Sequence, residues 1–289
     1  MNPCLSLVTM CETDSLKALE ASARAGFGKV EFWWPRLKTE LQSGSLDQIL
    51  ESLQEHELKP ASMAGLGLEL VGSDALWRES LARAVDAFTA VAPLAIPLII
   101  FTPGISHDVP HEALYSTAME RLQALAEIAE EFGIELALEF RSDSRWLSSL
   151  DTAAAIVSQV DHPRIGLCLD LFHYYLGPSK FEDLNAIVVG LLKSVQFSDL
   201  IGTPRELARD TDRILPGEGD FELSAIVGRL QKYNYSGIVS VEVPNPHLWP
   251  IACDRVADMA HQAISRIWPE DQAMDDLELP DLEQSNDNA

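Results

Sequence analysis

A single closed barrel of eight strand–helix units is the fold class this sequence predicts, and three observations predict it. Short apolar runs rich in β-branched residues alternate with amphipathic stretches eight times between residues 4 and 268. The runs read as near-continuously apolar, which suits strands of a parallel sheet buried on both faces under helices. A doubly wound open sheet would want a glycine-rich turn after an early strand, and neither GxGxxG nor GxxxxGKS/T occurs. A (β/α)8 TIM barrel needs about 250 residues, so the 289-residue chain divides into one barrel domain, 1–268, and a tail, 269–289.

The elements follow in order. CLSLVTM is the first strand, and Thr13 or Asp14 caps the helix SLKALEASARAG. Gly26 and Gly28 end that helix and lead into KVEFWW. Ser45 caps SLDQILESLQEHEL, and KPASMAG is strand three. The helix DALWRESLARAVDAFTAVA keeps its apolar residues at three-to-four spacing. PLIIFTPG is strand four, and a helix runs from His111 to Glu131. Strand five is IELALEF, followed by the helix SLDTAAAIVSQV and strand six, IGLCLD. The sixth helix, near KFEDLNAIVVGLL, has the weakest pattern. SVQFSD is strand seven, and a long loop precedes the helix FELSAIVGRLQKYN. GIVSVEV and the helix ACDRVADMAHQAISRIW complete the eight units.

Composition narrows the function. The formal net charge of −24 opposes a duplex nucleic-acid surface. No apolar run approaches the roughly 18 residues that a bilayer span requires. The N-terminus lacks the basic region of a signal peptide, and Cys4, Cys11, Cys168 and Cys253 show no paired or CxxC spacing. Buried reduced thiols of a cytoplasmic protein are the expectation, rather than disulfides or a zinc-thiolate site. The last 21 residues carry eight acidic side chains and no Lys or Arg, which predicts a disordered, solubilising tail.

Chemistry in this fold gathers at the C-terminal strand ends. Four consecutive strands end in an oxygen donor there: Glu139 in LALEF, Asp170 in IGLCLD, Gln196 in SVQFSD and Glu242 in IVSVEV. Any one alone reads as an ordinary loop carboxylate or helix cap. Four together, buried without a partner, would cost several kcal/mol, which a bound cation offsets; the alternative is a salt-bridged polar mouth. Three carboxylates and an amide favour Mn²⁺ or Mg²⁺, with Co²⁺ also suited. His173, three residues past Asp170, is placed to act as a base or to bond a substrate hydroxyl. Arg213 leads into a Gly/Pro turn and is a candidate clamp for substrate oxygens; Glu218 is a candidate either to pair with it or to support a neighbouring site residue. Asp199 orients a neighbour. Phe32, Trp33 and Trp34 end strand two and Trp249 follows strand eight; Trp33 and Trp249 are the candidate pocket walls. His107, after strand four, is a weaker candidate.

Taken together, LEF with Glu139, LDLFH with Asp170 and His173, VQFSD with Gln196 and Asp199, DRILPGEGDF with Arg213 and Glu218, and SVEVPNPHLW with Glu242 resemble a known group. The chain, from about residue 3 to 268, is similar to the xylose isomerase-like TIM-barrel superfamily, in its sugar phosphate isomerase/epimerase branch. That resemblance implies a divalent metal on the four strand-end residues and a 1,2-proton transfer through an enediolate. Glu139 and Glu242 would each bind metal and move a proton, while His173 and Arg213 hold substrate oxygens. It also implies a dimer or tetramer. Many epimerases of this group carry His where this chain has Gln196. The amide is similar to that of the 3-dehydroshikimate dehydratases of the same superfamily, which expel water from a related enolate. The superfamily's endonucleases, with a His-rich multi-zinc site, are not what a chain of seven histidines and this charge resembles. The leading expectation is a metal-dependent isomerase or epimerase of a small, unphosphorylated sugar, polyol or keto-sugar. The alternatives are a dehydratase of a cyclic hydroxyketone such as 3-dehydroshikimate or an inosose, and a non-catalytic sugar-binding barrel.

Overall fold

The structure is a computed structural model that describes residues 3–104 and 111–268; the tail expected at 269–289 lies outside the described residues. Eight strands close into one ring in chain order: β1 (Cys4–Ser6), β2 (Lys29–Trp33), β3 (Lys59–Leu68), β4 (Leu98–Pro103), β5 (Glu135–Glu139), β6 (Ile165–Asp170), β7 (Leu192–Phe197) and β8 (Ile238–Val241). All neighbours are parallel, and the ring shuts where Cys4 pairs with Ser240 and Leu5 with Val241. Closure leaves no strand edge unpaired.

The helices that cover the sheet are α1 (Ser15–Arg24), α2 (Trp34–Gln42), α3 (Leu46–Glu55), α4 (Asp74–Val91), α5 (His111–Glu131), α6 (Leu150–Val160), α7 (Leu171–Leu176), α8 (Ala186–Leu191), α9 (Leu223–Lys232) and α10 (Cys253–Ile267). Asp14 is the cap of α1, its carboxylate accepting the Lys17 N–H at 3.0 Å. Apolar stripes such as Ile49 and Leu53 of α3, or Val256, Ala257 and Ala260 of α10, meet outward-facing strand residues in one large core. The hollow of the ring is different. A small apolar cluster, Ala64, Leu98, Ile100, Ala137 and Cys168, fills part of it. Buried Ser6, Glu31, Ser62, Ser194, Gln196 and Ser240 also lie on the strands. Among the described residues no helix is long and apolar enough to cross a membrane, and all four cysteines are free.

Several boundaries depart from the sequence reading. The strand expected over CLSLVTM stops at Ser6, and Leu7–Met10 forms a 3₁₀ turn. Thr9 then ties this turn to the end of β8 by side chain, its hydroxyl donating to the Val241 carbonyl and accepting the Val243 N–H. The helix α2 was not anticipated; it starts one residue after β2, with Pro35 in its first turn, a position that tolerates the missing N–H. The helix expected near 180–192 is divided into a 3₁₀ turn, Phe181–Asp183, and the short α8, and α7 begins directly at the end of β6.

Strand β3 loses register with β4 between Met63 and Leu66. Gly65 sits in this irregularity with φ +86°, and a Cβ there would lie 2.8 Å from the Trp33 ring. Both constraints point the same way: the left-handed backbone excludes a side chain, and so does the indole. Gly65→Ala is therefore expected to lower stability by about 2 kcal/mol or more, read as a lower urea midpoint at unchanged slope. An unchanged midpoint would show that Trp33 is not held against this turn.

Candidate active site

The strand ends converge as the barrel requires. Glu139 is the last residue of β5 and Asp170 the last of β6, and both are buried. Asp170 also caps α7: its Oδ1 accepts the His173 N–H at 3.1 Å, so the turn that ends β6 sets the imidazole over the mouth. One ligand atom each from Glu139, Asp170 and His173 lies within 4.8 Å of the others, close enough to share a metal ion. His173 Nδ1 is 3.1 Å from the Ser142 hydroxyl, and its Nε2 is 3.7 Å from Glu139 and 3.6 Å from Asp210.

Arg213 comes in from the long loop after β7 and is itself buried. Its Nη1 donates to Asp170 Oδ2 at 2.5 Å and to Glu242 Oε2 at 3.4 Å, and its Nη2 donates to Asp210 Oδ1 at 2.6 Å. The guanidinium also lies over the Phe172 ring, 4.5 Å from its centre. Asn245, just beyond β8, fixes the Arg213 backbone by donating to its carbonyl at 2.7 Å. Asp199 anchors the following turn by accepting the N–H groups of Gly217 and Phe221, each at 3.0 Å. Glu218 lies on the exposed side of that turn. The structure thus pairs Arg213 with Asp210, three residues before it, rather than with Glu218.

Burial dominates the protonation of these groups. It pushes the Glu139 carboxyl up to about 8, and the neighbouring Asp170 carboxylate adds to the effect. It raises Glu242 well above the carboxylate range, only partly offset by Arg213. Asp170 is the contrast: burial acts on it too, but Arg213 and His173 hold it below its ordinary value. Burial lowers His173 to about 4, so its imidazole is neutral near pH 7. Five carboxyl groups at or beside the mouth (Glu139, Asp143, Asp170, Asp210 and Glu242) face two guanidiniums, Arg213 and Arg141. Full ionisation would leave an excess of negative charge, which a divalent cation would offset. The donor set therefore fits a metal.

Gln196, on β7, is the register partner of Asp170 and is fully buried. Its Nε2 donates to Glu31 Oε1 at 3.0 Å and its Oε1 accepts from the Cys168 thiol at 3.1 Å. Trp33, two residues past Glu31 on β2 and hence on the same face, stands half-buried at the mouth. Trp249, also half-buried, has a buried indole N–H without a partner. His107 lies outside the described residues. Arg141, Ser142, Asp210 and Glu31 escaped the sequence reading. Asp210 had a signal, its i−3 spacing to Arg213; the others sit in stretches where no pattern marks them.

The family described as the xylose isomerase-like TIM barrel matches residues 19–274, and the chain belongs to it. An inosose isomerase of Halalkalibacterium halodurans is 25% identical over 264 residues, covering 90% of this chain and 94% of that protein. A 3-dehydroshikimate dehydratase of Pseudomonas putida is 23% identical over 171 residues, 58% of this chain but 26% of the dehydratase. A solved structure of the IolI protein with a bound zinc atom superposes with a TM-score of 0.86 at 24% identity, covering 92% of this chain and 98% of that one, and so shares the fold.

Glu139 yields a pH test. Its folded-state value near 8 lies above the ordinary 4.5, so the fold favours the protonated acid. Stability from this group is complete below the ordinary range, falls as pH rises from about 4.5 to about 8, and is level beyond. After chelator treatment, Glu139→Gln should gain thermal stability over wild type progressively across that window. A difference between the two proteins that is independent of pH would contradict the burial argument.

Proposed function

We propose that this chain is a divalent-metal-dependent isomerase or epimerase of a small sugar, polyol or keto-sugar. The observation that carries this reading is the pair of carboxyls, Glu139 at the end of β5 and Glu242 one residue past β8, that meet at one cluster with Asp170, His173 and Arg213. Carboxyls pushed toward neutrality suit general acid–base work. The similarity to inosose isomerases supports a cyclic polyol ketone as the substrate class. Glu139, Asp170, Glu242 and Gln196 through Oε1 would hold the cation, with Mn²⁺, Mg²⁺ or Co²⁺ suited to such oxygen donors. When bound, the ion supplies Lewis acidity to the oxyanion that develops on the substrate.

The protein's own groups then divide the work. One of the two glutamates removes the proton α to the carbonyl, giving an enediolate, and the other returns a proton. His173, neutral and buried, hydrogen-bonds a substrate hydroxyl. Arg213 sits within reach of the same oxygens; its Nε is buried without a partner. Trp33 and Trp249 wall the pocket and keep water from the enediolate. The Gln196 amide and the partial likeness to a 3-dehydroshikimate dehydratase favour one alternative outcome: the same proton removal followed by loss of a β-hydroxyl.

Elemental analysis of natively purified protein should find about one divalent metal ion per chain, lost in Glu139→Ala. Incubation with an inosose in D₂O should place deuterium α to the carbonyl with no loss of water, whereas a conjugated enone absorbance would select the dehydratase. No metal under any condition sinks both. Glu242→Gln removes a ligand charge and a proton acceptor together. It should cut kcat by about 100- to 10,000-fold with an unfolding midpoint near that of wild type; near-normal turnover would exclude Glu242 from the reaction.

A further inference from the structure

Glu31 lies on β2, is fully buried, and belongs to none of the mouth carboxyls. Its hydrogen-bond partners are all neutral. Oε1 accepts the Gln196 amide N–H at 3.0 Å and the Ser240 hydroxyl at 3.4 Å, and Oε2 accepts the Ser62 hydroxyl at 2.7 Å. A buried acid bonded only to neutral groups is a costly way to fill a barrel; an apolar side chain of similar volume would stabilise more. What Glu31 does that an apolar residue cannot is hold an amide one way round.

Gln196 has two nearly isosteric ends. An acceptor, Glu31 Oε1, meets one end and a donor, the Cys168 thiol, meets the other at 3.1 Å. A flipped amide would set oxygen against oxygen and N–H₂ against S–H. Both contacts therefore select the same orientation, with Nε2 turned to β2 and Oε1 toward β6, the strand on which Asp170 is the register partner of Gln196. Oε1 uses one lone pair on the thiol and keeps the other.

We infer that Glu31 is a positioning residue that reaches across the barrel from β2 to fix the Gln196 amide with its oxygen available to a divalent cation. The inference rests on the assignment of Gln196 as a metal ligand in the proposed function. Outer partners that orient a ligand typically contribute 10- to 100-fold in metal affinity.

The test is Mn²⁺ binding by calorimetry to chelator-treated protein, with no substrate present. Gln196→Ala should weaken binding, and Glu31→Ala should weaken it by about 10- to 100-fold. Glu31→Gln keeps an acceptor oxygen without the charge and should restore most of the affinity. The double variant Glu31→Ala/Gln196→Ala should bind no more weakly than Gln196→Ala alone, because Glu31 acts through the amide. Glu31→Met, which fills the volume without an acceptor, is measured alongside in case the alanine variant fails to fold. It should match Glu31→Ala. If Gln196→Ala binds weakly but both Glu31→Ala and Glu31→Met bind normally, the positioning role is wrong and the ligand assignment stands. Equal losses in Glu31→Gln and Glu31→Ala, or additive losses in the double variant, would assign the effect to charge and overturn the inference. Normal binding by Gln196→Ala would remove the ligand assignment itself.

Discussion

Closing eight parallel strands into one ring is the constraint from which the rest of this protein follows. Parallel pairing makes all eight strands end at the same rim, and closure brings those ends within reach of one another. Acids that lie far apart in the chain, at 139, 170 and 242, then meet around one guanidinium or one imidazole. Their burial follows from the same geometry, since helices cover the outside and the Phe172 ring lies against the Arg213 guanidinium. Burial in turn sets the protonation: two acids are pushed up, and one, salt-bridged to Arg213, is held down.

The mouth is built from two kinds of support. Asp170 is fixed by the start of α7 and by Arg213, so its position depends on a strand end and on a loop more than forty residues later in the chain. Arg213 depends on Asn245 at its carbonyl and on Asp210 at its guanidinium, and the turn after it depends on Asp199. The long segment between β7 and α9 is therefore part of the site. In the proposed reading, the isomerase and dehydratase outcomes would share a first step, removal of a proton beside a carbonyl. A constellation that does this well decides little about what leaves or returns afterward. Discrimination between those outcomes falls to the groups that meet the substrate's remaining hydroxyls.

Much of this was legible in the sequence, for physical reasons. Strands of a parallel barrel are buried on both faces and largely apolar, so the runs around Glu139, Asp170 and Glu242 stand out, and a polar residue at the end of each marks the rim. The amphipathic helices announce themselves by spacing. Legibility failed where tertiary contacts replace local pattern. Nothing in KVEFWW separates Glu31 from its neighbours, because in a strand buried on both faces a two-residue alternation carries no inward or outward label. The turn at Leu7–Met10 depends on Thr9 bonding to a strand more than two hundred residues away. The helix α2 was readable through Pro35 but was hidden by the aromatic run before it. The choice of Asp210 over Glu218 as partner of Arg213 follows from the 3₁₀ turn at Asp210–Asp212, which places Arg213 directly after it.

The polar interior of the ring gives this molecule two cores that obey different rules. Between helices and sheet, aliphatic side chains of similar volume exchange at a cost generally below about 1.5 kcal/mol, so that layer tolerates drift one residue at a time. Inside the ring, Glu31, Ser62, Gln196, Ser240 and Cys168 form a linked set of donors and acceptors centred on Glu31 and Gln196. A change there leaves an orphan on the opposite strand, and only a matched second change cures it. The outer shell can therefore wander in sequence while the inner file moves only in pairs. Divergence within such a barrel would be recorded first on its outside, and its reaction would change by coupled substitutions across the axis.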